Sequence, residues 1–254
     1  MNAHPQRSVD GDLPLGKGVV LVREDPNGVI ALSKPSGILS HPNTTDDVSR
    51  SLLTTDYQMG GEYYQWDKEK VWLLNRLDAA TSGIVLLSRN ETLANTLRQY
   101  FKQQSIRKIY AAIVFGRPRR NMELWIDRLS VRKTGGQIRT QAGSGNIPAE
   151  TLMRCIETNH ESPEVVSLLQ LEPKTGRSHQ LRVQCQRRKL PIVGDATYGE
   201  FKLNRRFTRH RGSKRLFLHS ANTSFQYLWQ GKKHIFSAEA ALPEEFTSAL
   251  TSHV

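Results

Sequence analysis

The sequence predicts an α+β fold: a mostly antiparallel or mixed central sheet with a few flanking helices. Eight short segments, β-branched or apolar and bounded by Gly, Pro or Asn, read as strands: "GVVLVRE", "GVIALS", "VWLL", "GIVLLS", "IRKIYAAIVFG", "AETLMRCIET", "EVVSLLQLE" and "KRLFLHSANTSF". Helical periodicity appears in only three places. The strands also arrive in hairpin-like runs rather than in regular βαβ units, which favours antiparallel pairing.

The clearest helix is "NETLANTLRQYFKQQ". Asn90 can cap it, Glu91 suits its positive end, and Leu93, Leu97, Tyr100 and Phe101 share one face. A second follows "TGR", where Ser178 could cap "HQLRVQCQRRK". "PEEFTSAL" forms a terminal third, with Pro243 at its first turn. At 254 residues the chain can bury one sizeable core, and no linker divides it. Residues 1–17 read as a disordered tail, 18–254 as a single domain, and 44–69 as an insertion or lid, acidic (six acids, two bases) and carrying Tyr57, Tyr63, Tyr64 and Trp66.

Thirty-six Lys and Arg against 24 Asp and Glu give a net charge of +12, the electrostatic footprint of a polyanion binder. Residues 174–190, "KTGRSHQLRVQCQRRKL", hold six basic residues and no acid. Residues 202–215, "KLNRRFTRHRGSKR", hold seven and none. The second run, with Arg205, Arg206, Arg209 and Arg211, reads as a mobile loop able to lie along a nucleic acid. The longest apolar runs are far short of the roughly 20 residues a membrane helix needs, and the N-terminus lacks a signal peptide's apolar stretch, so a cytoplasmic protein away from membranes is expected. Cys155 and Cys185 have neither CxxC spacing nor a His cluster, so two buried thiols are expected rather than a metal site or a disulfide.

"VWLLNRLDAATSGIVLLSR", residues 71–89, sets Asp78 beside Arg76 between two apolar runs. A carboxylate there is solvated at a turn, paired with a cation, or held for chemistry, because burying it unpaired costs many kcal/mol. "TSG" favours a rigid polar bend: Thr81 and Ser82 can bond their own backbone, and Gly83 accepts a positive φ before the next strand.

Together with three other stretches this one resembles the RNA pseudouridine synthases of the RluA type. "LNRLDAATSGIVLLSRN" is similar to that family's RLDxxTSG motif, "VIALSKPSGILSHP" to its KPxG segment, and "RKIYAAIVFG" to its K-x-Y strand. "LEPKTGRSHQLRVQCQRRKLPIVGDATYG" is similar to its TGRxHQLRxH and GDxxYG segments. The stretches occur in the family's order and span roughly residues 18–225. Two positions depart from the pattern: Asn75 and Gln184 stand where His is common. The S4 module of some relatives does not fit in the seventeen residues before the first strand, so the catalytic domain or a partner is expected to grip the RNA.

The resemblance implies a pseudouridine-synthase-like fold with a basic RNA-binding cleft. It implies an isomerase that flips a uridine of tRNA or rRNA out of its stack, breaks the glycosidic bond and rejoins the base through carbon 5. No cofactor and no metal are needed, and a monomer is expected. It assigns Asp78 as nucleophile or base, Tyr110 as the ring stacked on the uracil, and Arg177 as the cation paired with Asp78. Leu181 would pack against the same pocket. Arg76, His179, Arg182 and Thr81 are assigned to substrate contacts or scaffold. The alternative is a non-catalytic RNA-binding protein with the same fold; a glycosylase with a carboxylate nucleophile would also share the flipped base.

Overall fold

A computed structural model describes residues 13–134, 137–143, 145–160 and 164–251. In chain order the elements are strands β1 (Val20–Glu24) and β2 (Val29–Lys34), a 3-10 turn (Thr45–Arg50), and strands β3 (Asp56–Gln58), β4 (Tyr63–Trp66), β5 (Glu69–Leu73) and β6 (Ser82–Ser88). Helix α1 (Glu91–Lys102) precedes strands β7 (Arg107–Phe115), β8 (Met122–Thr134), β9 (Gln137–Ala142), β10 (Ile147–Asn159) and β11 (Val166–Pro173). Helices α2 (Gln180–Arg187) and α3 (Phe201–Arg211), strands β12 (Leu218–Trp229) and β13 (Lys232–Glu239), and helix α4 (Glu244–Leu250) complete the chain.

One curled sheet takes all thirteen strands, in the path β3-β4-β5-β6-β12-β7-β11-β10-β8-β9, with β1 and β2 branching from β6 and β13 from β12. Every named pairing is antiparallel except β6 with β12, where only His219↔Ser82 and Ser220↔Gly83 are in register. This seam is tight. Gly83 has φ +109°, and a Cβ on it would stand 2.2 Å from the Ser220 carbonyl oxygen, so only glycine lets the two backbones approach.

Helix α1 forms as its sequence dictates. Asn90 Oδ1 accepts from the Leu93 amide at 3.0 Å, and Leu93, Ala94 and Leu97 are buried against β6 and β12. A larger core under α2, α3 and α4 collects Phe115, Leu181, Cys185, Phe207, Phe217 and Phe246. Each such side chain contributes about 1.5–3 kcal/mol by leaving water.

Several expectations are corrected. Residues 1–12 of the expected tail lie outside the described residues, but Leu13 is buried and Leu15 bridges to Leu53. Within residues 44–69, read as an insertion or lid, Leu52, Leu53 and Tyr64 are fully buried, and the segment supplies β3 and β4 to the sheet. The run 202–215 is mostly helix α3 rather than a loop. Glu200 Oε1 accepts from the Lys202 amide, Phe207 is buried, and Gly212 ends the helix in the left-handed region at φ +72°. The N-cap position of helix α2 is His179, not Ser178, and its side chain makes no capping hydrogen bond. Cys185 is buried, whereas Cys155 is only half-buried. Among the described residues no helix is long and apolar enough to cross a membrane.

Candidate active site

Asp78 lies in the turn between β5 and β6, closed by the Thr81 amide donating to the Asp78 carbonyl at 3.0 Å. Behind the turn the fully buried Lys34, at the end of β2, donates to the carbonyls of Ile38 (2.6 Å), Pro35 (3.1 Å) and Ala79 (3.1 Å). Burial pulls the Lys34 pKa down to about 7, with Asp78 pulling the other way. We read the side chain as an ammonium, because only that form supplies three donors for three carbonyls.

The turn opens onto a cavity of about 670 Å³. Its walls bring together all eight residues singled out from the sequence: Arg76, Asp78, Thr81, Tyr110, Arg177, His179, Leu181 and Arg182. Their pairing differs from expectation at one point. The cation on Asp78 is Arg182, whose Nη1 donates to Oδ2 at 3.0 Å, and not Arg177. Arg177 precedes α2, and its Nε lies 3.4 Å from the Pro148 carbonyl. The side chains that reach toward Asp78 are those of His179, just before the helix, and Arg182, in its first turn.

Arg182 is itself held by Asp195, the aspartate of "GDATYG". Nε and Nη2 donate to the two carboxylate oxygens at 2.8 and 2.7 Å, and the amides of Thr197 and Tyr198 donate to Oδ1 at 2.9 Å each. Burial alone would raise the Asp195 pKa, but the guanidinium and the two amides more than offset it and hold it low. At Arg182 burial is outweighed in turn by the carboxylates of Asp195 and Asp78, which hold it charged. No role for Asp195 was expected from the sequence, although it is the acid of the "GDATYG" segment that follows the basic, helix-forming run.

His179 sits at φ +55°, a conformation that costs a non-glycine residue about 1–3 kcal/mol. Its Nδ1 is 2.9 Å from the Tyr198 hydroxyl and its Nε2 is 3.6 Å from Asp78 Oδ2. Tyr198 accepts from the Thr140 amide, so its own hydrogen is free for Nδ1, and Nε2–H then faces Asp78. Burial lowers the His179 pKa against the pull of Asp78, which keeps the ring neutral near pH 7.

Tyr110 stands on β7, paired with Leu171 on one side and Ser220 on the other. Burial, opposed by a hydrogen bond with Ser220 and helped by Asp78, pushes its hydroxyl up to about 12, so the phenol is protonated at neutral pH. Leu181 and Thr81 are buried in the wall, and exposed Arg76 lies at the rim with Nη1 3.4 Å from His41 Nε2. The two departures from the family pattern do scaffold work. Asn75 accepts from the Leu86 amide at 2.8 Å; buried Gln184 accepts from Thr151 at 2.6 Å and donates to Asp127 at 2.9 Å. No group of three or more His, Cys, Asp or Glu among the described residues could hold a metal ion.

The cavity thus holds a carboxylate tied to a guanidinium, with a partly buried phenol on the same wall. The RNA pseudouridylate synthase family matches residues 28–187. The chain belongs to this family. Its members are isomerases that convert uridine to pseudouridine in RNA. The chain is 30% identical over 240 residues to tRNA pseudouridine synthase C of Salmonella typhimurium, covering 91% of this chain and 88% of that one. It is 35% identical over 188 residues to ribosomal large subunit pseudouridine synthase D of Borreliella burgdorferi, covering 71% of this chain and 55% of the relative. The fold is that of the human RNA Pseudouridylate Synthase Domain Containing 4 structure: TM-score 0.65, 21% identity, 91% of each chain covered.

Proposed function

We propose that this pseudouridine synthase isomerises a uridine in tRNA or ribosomal RNA, flipped into the cavity, with Asp78 as the nucleophile or base. The observation that carries the reading is the Arg182 guanidinium forked between Asp195 and Asp78, since it presents a charged carboxylate in a fixed direction toward the cavity. Tyr110 supplies an apolar face to hold the uracil while it is detached and turned. His179 and Thr81 fix the carboxylate's surroundings, and Arg76 at the rim meets the backbone or the gap left in the stack. Both substrate classes come from relatives: the Salmonella one is named for tRNA and the Borreliella one for the large ribosomal subunit.

Mapping pseudouridine across total RNA from cells with and without the gene tests the activity and names the target. Asp78→Asn is close to isosteric and removes only charge and nucleophilicity. Its expected outcome is complete loss of pseudouridine formation in a tritium-release assay with RNA affinity nearly intact; substantial residual turnover removes Asp78 from the chemistry.

A further inference from the structure

Helix α3 takes no part in the cavity, yet it is fastened to the cavity wall. It is capped by Glu200, two residues after Tyr198, whose hydroxyl meets His179 and whose ring lies 5.1 Å from the Arg182 guanidinium. Its far end is fastened too, because Arg211 donates to the carbonyls of Ser248 and Thr251 at 3.2 and 2.6 Å. Between these ends Phe207 is buried, so the helix has a fixed rotation about its axis.

That rotation turns Lys202, Arg205 and Arg209 to solvent as one stripe at spacings of three and four residues. Arg206, beside them, is committed to Glu164 at 2.8 Å. None of the ion pairs among the described residues involves the three stripe residues. Arg205 is steadied over the Phe201 ring at 5.6 Å, and that ring is 70% exposed. Like charges on successive turns repel, and this helix nevertheless holds three in line on a rigid support. The stripe rises about 10 Å, the reach of two to three successive phosphates on one strand.

We propose that Lys202, Arg205 and Arg209 form a phosphate track for the RNA strand flanking the uridine that enters the cavity. The inference rests on the uridine-isomerase reading of that cavity. The track grips backbone and not bases, so it strengthens binding to any sequence and leaves the choice of uridine to the cavity.

The test uses the full chain and total RNA, transfer and ribosomal, from cells lacking the gene. Affinity is measured between about 50 and 200 mM salt for the parent, for Lys202→Gln/Arg205→Gln/Arg209→Gln, and for the control Lys232→Gln/Lys233→Gln on the β12–β13 hairpin. The triple variant is expected to flatten the slope of log K against log salt by about 1.4 to 2.7, to weaken binding about tenfold or more near physiological salt, and to put the kinetic loss in KM rather than kcat. The control is expected to keep the parent's slope. A triple variant with an unaltered slope, or a control that loses as much, overturns the track. If the parent's slope depends on the stripe but no pseudouridine forms, the isomerase reading fails and the track stands. A parent that neither binds nor converts RNA overturns both.

Discussion

Arg182 shares one guanidinium between a carboxylate that is fully enclosed and one that looks into a cavity, and this inequality sets what its loss would do. Removing it strands the buried Asp195 without its partner, which costs about 3–5 kcal/mol, so the informative variant is Arg182→Lys, which keeps the charge and loses the fork. Turnover is expected to fall at least about 100-fold, with far-UV circular dichroism unchanged. Arg177→Gln is expected to cost less than about threefold, as for an exposed position without a buried partner. Equal losses in the two would return the pairing role to Arg177. Tyr110 separates two other jobs. Tyr110→Ala is expected to weaken RNA binding by about 1–3 kcal/mol through lost stacking, whereas Tyr110→Phe keeps the affinity and stalls after glycosidic cleavage, seen as detached uracil without pseudouridine. A Tyr110→Phe enzyme as fast as the parent leaves the ring with stacking alone.

At the scale of elements, the join between β6 and β12 carries a buried polar network as well as a close backbone contact. Arg215 donates to Ser82 Oγ at 2.5 Å, Ser82 is 2.8 Å from His219 Nδ1, and His219 Nε2 is 3.3 Å from the Ala240 carbonyl. A neutral imidazole protonated at Nε2 satisfies every member of the set, with the Ser82 hydroxyl donating to Nδ1. Burial accordingly pulls the His219 pKa down to about 4, with Arg215 adding to the shift. The unfolded chain takes up this proton near pH 6.5 and the folded one only near 4. The stability it contributes is therefore complete above pH 6.5 and lost as pH falls toward 4, by about 3 kcal/mol. Thermal melts across that window are expected to show the decline in the parent and a flatter profile in His219→Gln. A parent whose midpoint is constant between these pH values sinks the account. The basic runs illustrate what local reading misses. "KTGRSHQLRVQCQRRKL" contains no acid, but Arg182, Arg187 and Arg188 find Asp78, Asp195 and Asp127 from distant segments, so much of that charge is internal. Helix α3 was hidden by its own like charges, although its cap, its buried Phe207 and its glycine stop are all local signals.

Across the whole molecule, the α+β class and the mainly antiparallel sheet were legible because apolar strands between turn residues dominate the chain. The strands missed were β3 and β4 in the acidic segment, the long β8 with its charged residues among apolar ones, β9, and β13 with its Lys-rich start. Their side chains face solvent on at least one side, so composition does not mark them, and only their neighbours in the sheet fix their place. The site was legible as a set of residues through ordered motifs, but not as a set of pairs, since the start of α2 decides which side chain meets Asp78. The narrow join has a further consequence. Everything up to α1, including Asp78, lies on one side of the exposed turn at Gln103–Ser105, and Tyr110, His179, Arg182 and Asp195 lie on the other. The enzyme is thus cut in sequence where its chemistry is joined in space. Two chains broken after Gln104 should each be inert and should regain pseudouridine formation only when co-expressed, which makes this turn a natural place for a split reporter of RNA modification.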